Sequence, residues 1–187
     1  MKKNLVAYAF ALVFLAVLGH DVHARKSGQN RTVPIDMIVI HSTGGPTCDA
    51  KTGLPIWVGA GDMETNMRTI EAHPQLGIHY MIDRNGSLRA SIPESRVAHH
   101  VFRYSERSIA IELINDGDGR DPFPDAQMTA LVALLKEIRQ RHSIARALVK
   151  RHSDLDTALS PCDPTRRRKV DPGDAFEFDT ILNRVYN

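Results

Sequence analysis

Apolar residues in this chain gather into short runs of differing period, separated by polar stretches rich in Gly and Pro. Met37 to His41 (MIVIH) is an unbroken, mostly β-branched run closed by Ser42, Thr43 and two glycines, the pattern of a buried strand. Ser108 to Ile114 (SIAIELI) is a second such strand. Its alternation puts Ile109, Ile111 and Leu113 on one face and Ala110, Glu112 and Ile114 on the other. Leu148 to Lys150 is a short third strand. Between residues 79 and 93 two alternating runs flank Asn85-Gly86, which predicts a hairpin. The helical period appears over Asp62 to Ala72, through Met63, Met67 and Ile70. It appears more fully over Asp125 to His142, through Met128, Leu131, Val132, Leu134, Leu135 and Ile138. Asp125 suits the positive end of that helix. After Pro172-Gly173, the residues Phe176, Ile181, Leu182 and Val185 predict a closing helix that packs on the sheet. Residues 25–34 read as a loose polar arm and 43–61 as a long loop. Strands interleaved with helices, plus a hairpin, predict an α/β fold: a mixed central β-sheet flanked by helices in a single domain.

One apolar run stands apart. Lys2 and Lys3 precede Leu5 to Leu18, an uninterrupted stretch of 14 apolar residues, and Val22-His23-Ala24 then offers small residues before Arg25. The run falls short of the roughly 20 residues that span a bilayer. It predicts a signal peptide over residues 1–24, cut after Ala24, and a domain over 25–187 that is exported to the periplasm or secreted, without membrane association after cleavage. The remaining composition points to no special partner. With 24 basic and 22 acidic residues the charge is near balance, so nucleic acid is not an expected partner, and a monomer is expected. The basic run Arg166 to Lys169 lies among Asp163, Asp171 and Asp174 and reads as a solvated, locally neutralised loop. Cys48 and Cys162, the two cysteines, can pair in an oxidising destination.

Candidate chemistry sits at the ends of the apolar runs. His41 closes the first strand and His152 follows the third, so parallel neighbours would aim both rings at one cleft. Two imidazoles and one carboxylate leave zinc an open position for water or substrate. Glu112 falls on a mostly apolar strand face, where a carboxylate is costly unless it is paired or functional; an edge strand facing solvent fits the pattern equally well. Asp171 precedes Pro172-Gly173 and reads either as a turn former or as a ligand.

Taken together and in order, IVIHST, HYMIDRNG, SIAIELIND, KRHSDL and RKVDPG resemble the zinc-dependent N-acetylmuramoyl-L-alanine amidases, whose fold is shared by peptidoglycan-recognition proteins and phage lysozyme-type amidases. The resemblance runs from about Ile35 to Phe178. It implies that His41, His152 and Asp171 bind zinc, that Glu112 is the general base, and that Lys169 contacts the substrate carbonyl or the oxyanion. His100 matches the histidine of a turn implied to contact substrate, although its flanks differ. Ile78 stands where some relatives carry a tyrosine, which favours the branch that relies on Glu112. The segment between His152 and Asp171 is longer than usual in the family and contains Cys162. Some phage relatives use a cysteine as third ligand, so Cys162 is the alternative to Asp171. The implied activity is hydrolysis of the amide between N-acetylmuramic acid and L-alanine in peptidoglycan or muropeptides. The alternatives are a non-catalytic peptidoglycan-binding module and a zinc peptidase acting on the stem peptide.

Overall fold

The computed structural model describes residues 27–187, so the leader expected over residues 1–24 lies outside the described residues. In chain order the strands are β1 (Gln29–Asn30), β2 (Met37–Ser42), β3 (Gly45–Cys48), β4 (Pro55–Val58), β5 (Tyr80–Ile82), β6 (Leu88–Ala90), β7 (Arg96–Val97), β8 (Ser108–Leu113), β9 (Val149–Arg151), β10 (Leu159–Ser160) and β11 (Asp163–Arg167). The helices are α1 (Met63–Ala72), α2 (Asp125–His142), α3 (His152–Leu155) and α4 (Phe178–Tyr186). Five strands form the central sheet in the order β6-β5-β8-β2-β9. β5, β8, β2 and β9 run parallel, and β6 pairs antiparallel with β5 through the Asn85-Gly86 turn. Gly86 has φ +85° there, a conformation that glycine adopts without a Cβ penalty.

The β-branched run of β2 is buried because strands flank it on both edges and side chains cover it on both faces. On one face Ile38, Ile40, Ile109, Ile111 and Leu113 pack with Leu131, Leu135 and Ile138 of α2 and with Ile181, Leu182 and Val185 of α4. Each such side chain, fully buried, stabilises the fold by about 1.5–3 kcal/mol. On the other face Met81, Ala110 and Ile114 meet Met63 and Met67 of α1, and Met37 and Val39 meet Val101. Asp62 caps α1 by accepting the Thr65 N–H at 2.9 Å. The expected mixed sheet, hairpin and helices are all present, and α4 joins α2 on the same face of the sheet.

Three stretches differ from expectation. The arm over residues 25–34 is tied down where it is described: β1 pairs with β7, and the Arg31 guanidinium donates to the carbonyls of Glu94 (2.6 Å), Ser105 (3.3 Å) and Ser108 (2.8 Å). Those carbonyls need a donor, and a five-donor guanidinium supplies several at once. The long loop over 43–61 contains the hairpin β3–β4, and the segment before Asp171 contains the hairpin β10–β11. Both hairpins are largely exposed, so neither carries the alternating apolar pattern that would reveal a strand. The Cys48–Cys162 disulfide joins them, with Cα atoms 5.8 Å apart.

Candidate metal centre

β2 delivers His41 to the C-terminal edge of the sheet, and parallel pairing sets it directly beside Glu112 of β8. β9, the neighbour on the other side, runs straight into α3, whose first residue is His152. Asp171 arrives from the segment after β11, and its carbonyl accepts the Ser153 N–H at 3.1 Å, which pins it beside α3. His41, His152 and Asp171 are all buried. His41 Nδ1 lies 3.0 Å from His152 Nδ1, and Asp171 Oδ2 lies 3.2 Å from the first and 3.0 Å from the second.

Two ring nitrogens that close cannot both carry a proton, so at least one lone pair points into the cluster. A cation suits that arrangement, and two imidazoles with a carboxylate are the donor set of a zinc site with an open position. Electrostatics agree. Burial, followed by the neighbouring His152, pushes His41 down to about 4, which keeps it a neutral donor. Burial opposes ionisation of Asp171, but the His152 and His41 imidazoles beside its carboxylate prevail and hold it far below the usual carboxylate range. Among the described residues this is the one cluster of His, Cys, Asp and Glu side chains close enough together to hold a metal ion. Cys162 is in the disulfide and offers no thiolate, so the third donor brought to the histidines is Asp171.

Glu112 and Lys169 share a cavity of about 220 Å³ with the three donors. Glu112 Oε2 is shielded from solvent and has no hydrogen-bond partner among the described residues. Burial, with the Asp171 charge adding to it and Lys169 opposing it, pushes the Glu112 carboxyl up to about 8. Lys169 also lines a groove of about 970 Å³ with His100, Phe102, Arg103 and Arg168. His100 borders both spaces, yet its Nδ1 is 2.9 Å from His41 Nε2, on the side of the ring turned away from Asp171.

Sequence reasoning missed the side chains that stand behind the ligands. Asp156 Oδ2 lies 4.0 Å from His152 Nε2 and accepts from Arg168 Nε at 3.0 Å. Arg167 donates to the Asp156 carbonyl at 2.9 Å, so the basic run is engaged more closely than a solvated loop would be. Ser108 accepts or donates at 3.0 Å to His100 Nε2. No motif marks a lone Ser or Asp as a partner of a distant histidine; only the fold brings them together.

A family model described as N-acetylmuramoyl-L-alanine amidase matches residues 31–174. AmiD of Escherichia coli, named as an N-acetylmuramoyl-L-alanine amidase, is 26% identical over 89% of this chain, and the alignment spans 59% of AmiD's own length. AmpD of Escherichia coli, named as a 1,6-anhydro-N-acetylmuramyl-L-alanine amidase, is 29% identical over 76% of this chain and 78% of its own. The structure of the AmiD complex with anhydro-N-acetylmuramic acid-L-Ala-D-gamma-Glu-L-Lys superposes with a TM-score of 0.61 at 26% identity, covering 83% of this chain and 60% of that one. Drosophila PGRP-LB shares the fold with a TM-score of 0.57 at 18% identity, over 84% of this chain and 86% of its own.

Proposed function

The chain belongs to the N-acetylmuramoyl-L-alanine amidase family, and from that premise we propose that it is a zinc-dependent hydrolase of the amide between the lactyl group of N-acetylmuramic acid and L-alanine, in peptidoglycan or in muropeptides. The observation that carries the reading is the convergence of His41, His152 and Asp171 beside the Glu112 carboxylate, whose shielded Oε2 has no hydrogen-bond partner among the described residues. Zinc held by those three side chains supplies a Lewis acid for the amide carbonyl and makes nearby water more acidic.

The chain's own groups do the rest. Glu112 takes a proton from water as the water oxygen bonds to the carbonyl carbon. The same burial that raises its pKa makes it a stronger base once it is ionised. Lys169 offers its ammonium to the charge that develops on the carbonyl oxygen. Glu112 then returns the proton to the amide nitrogen as the carbon–nitrogen bond breaks, which releases the peptide with a free amine. The substrate of the AmiD complex contains this bond, and the export expected from residues 1–24 would bring the enzyme to the cell wall.

Digestion of a purified muropeptide, read by mass spectrometry, tests the proposal. A lactyl-bearing sugar and an intact stem peptide are expected, with activity removed by a chelator and restored by zinc. A shortened peptide would identify a stem peptidase, and retention of the muropeptide without any cleavage would identify a binding module.

A further inference from the structure

The side of His41 turned away from the donor cluster meets a chain of hydrogen bonds. His41 Nε2 lies 2.9 Å from His100 Nδ1, His100 Nε2 lies 3.0 Å from Ser108 Oγ, and Ser108 Oγ donates to the Tyr104 carbonyl at 2.7 Å. We propose that His100 and Ser108 are positioning residues that fix the tautomer of His41, holding its Nδ1 lone pair towards His152 and Asp171. The inference rests on the metal centre proposed above.

The direction of each bond follows from counting protons. A carbonyl oxygen only accepts, so the single hydroxyl proton of Ser108 is committed to Tyr104. Towards His100, Ser108 Oγ is therefore an acceptor, which places the His100 proton on Nε2. A neutral imidazole carries one proton, so His100 Nδ1 presents a lone pair. His41 Nε2 must then be the donor, and His41 Nδ1 is left bare. The turn that carries His100 is itself fixed: the His100 N–H donates to Ser105 Oγ at 3.1 Å, and Ser105 Oγ donates to the Val101 carbonyl at 2.6 Å. Without this chain, the His41 proton could move to Nδ1 and donate to Asp171. That arrangement would occupy a nitrogen and an oxygen that a metal needs. Partners of this kind, one step behind the ligand, typically change metal affinity about 10–100-fold.

Zinc titration of the chelator-stripped, full-length protein against a competing chromophoric chelator tests the inference. Ser108→Ala, a small change that keeps the backbone, is expected to weaken zinc about 10–100-fold, and His100→Leu at least as much. His100→Gln should stay nearer the wild type, because its amide oxygen can accept from His41 while its nitrogen donates to Ser108. The inference is overturned if Ser108→Ala and His100→Leu bind zinc like the wild type, or if His100→Gln is as weak as His100→Leu. It is overturned too if loss of the His100 imidazole raises KM for muropeptide with zinc affinity unmoved, which would make His100 a substrate contact. Failure of the wild type itself to take up zinc would strike at the metal centre instead.

Discussion

A carboxylate on a strand face between Ala110 and Ile114 costs free energy unless something compensates it, and Glu112 Oε2 has no hydrogen bond among the described residues to do so. If that cost is borne for chemistry, Glu112→Gln should keep zinc bound and lose turnover by about 10²–10⁴-fold. Zinc analysis beside muropeptide kinetics checks this, and near-normal turnover would remove Glu112 from the mechanism. His79 shows the opposite use of burial. Its Nδ1 accepts the Ala110 N–H at 2.9 Å, and burial pushes its pKa down to about 4. The unfolded chain, with a histidine near 6.5, therefore takes up a proton first as pH falls. The stability His79 contributes is complete above about pH 6.5 and is lost towards pH 4, to a limit of about 3 kcal/mol. Urea unfolding across that range should show a shallower acid loss for His79→Asn, which can keep an oxygen acceptor without the titration. His41, Glu112 and His152 stand out in the sequence because polar residues within or just after apolar strands are conspicuous. Ser108 and Asp156 do not, because small polar residues are ordinary everywhere.

The strands and helices with a buried face, β2, β8, α1 and α2, are readable because burial imposes an unbroken apolar run on β2 and a period on the others. β3–β4 and β10–β11 are not, since they pair outside the core and a disulfide joins them in place of an apolar face. The bridge between distant parts of the chain should contribute about 2–5 kcal/mol. The double variant Cys48→Ser with Cys162→Ser is accordingly expected to unfold at lower urea while still binding zinc through Asp171. Loss of the metal in that variant would show that the hairpins also hold Asp171 in place. Gly44 tests the loop just beyond β2. A Cβ there would stand 2.4 Å from the Asp116 carbonyl oxygen, and backbone does not yield as a flexible side chain would. Gly44→Ala should therefore destabilise by about 1–3 kcal/mol, measured by urea unfolding.

Donors at positions 41, 152 and 171 join three separated stretches of one chain, so any metal they hold stabilises the folded state against the unfolded one. At zinc concentrations 100–1,000 times the dissociation constant the gain is about 3–4 kcal/mol. Calorimetry should show Tm falling on chelation while the far-ultraviolet spectrum of the folded protein is retained. An unchanged Tm would argue against a metal bound by the fold. The arrangement around β2 also has a consequence in time. Its pairing edges are filled by Ser108–Leu113 on one side and Val149–Arg151 on the other, so the first core strand to be synthesised is bordered wholly by later ones. Contacts this distant in sequence form slowly, and until they form β2 is an apolar strand with two open edges, the kind that invites wrong partners. A growing chain that has not reached Val149 to Arg151 lacks the last strand of this sheet, and one that has not reached Asp171 lacks the third donor: the site is assembled only after the sheet that carries it.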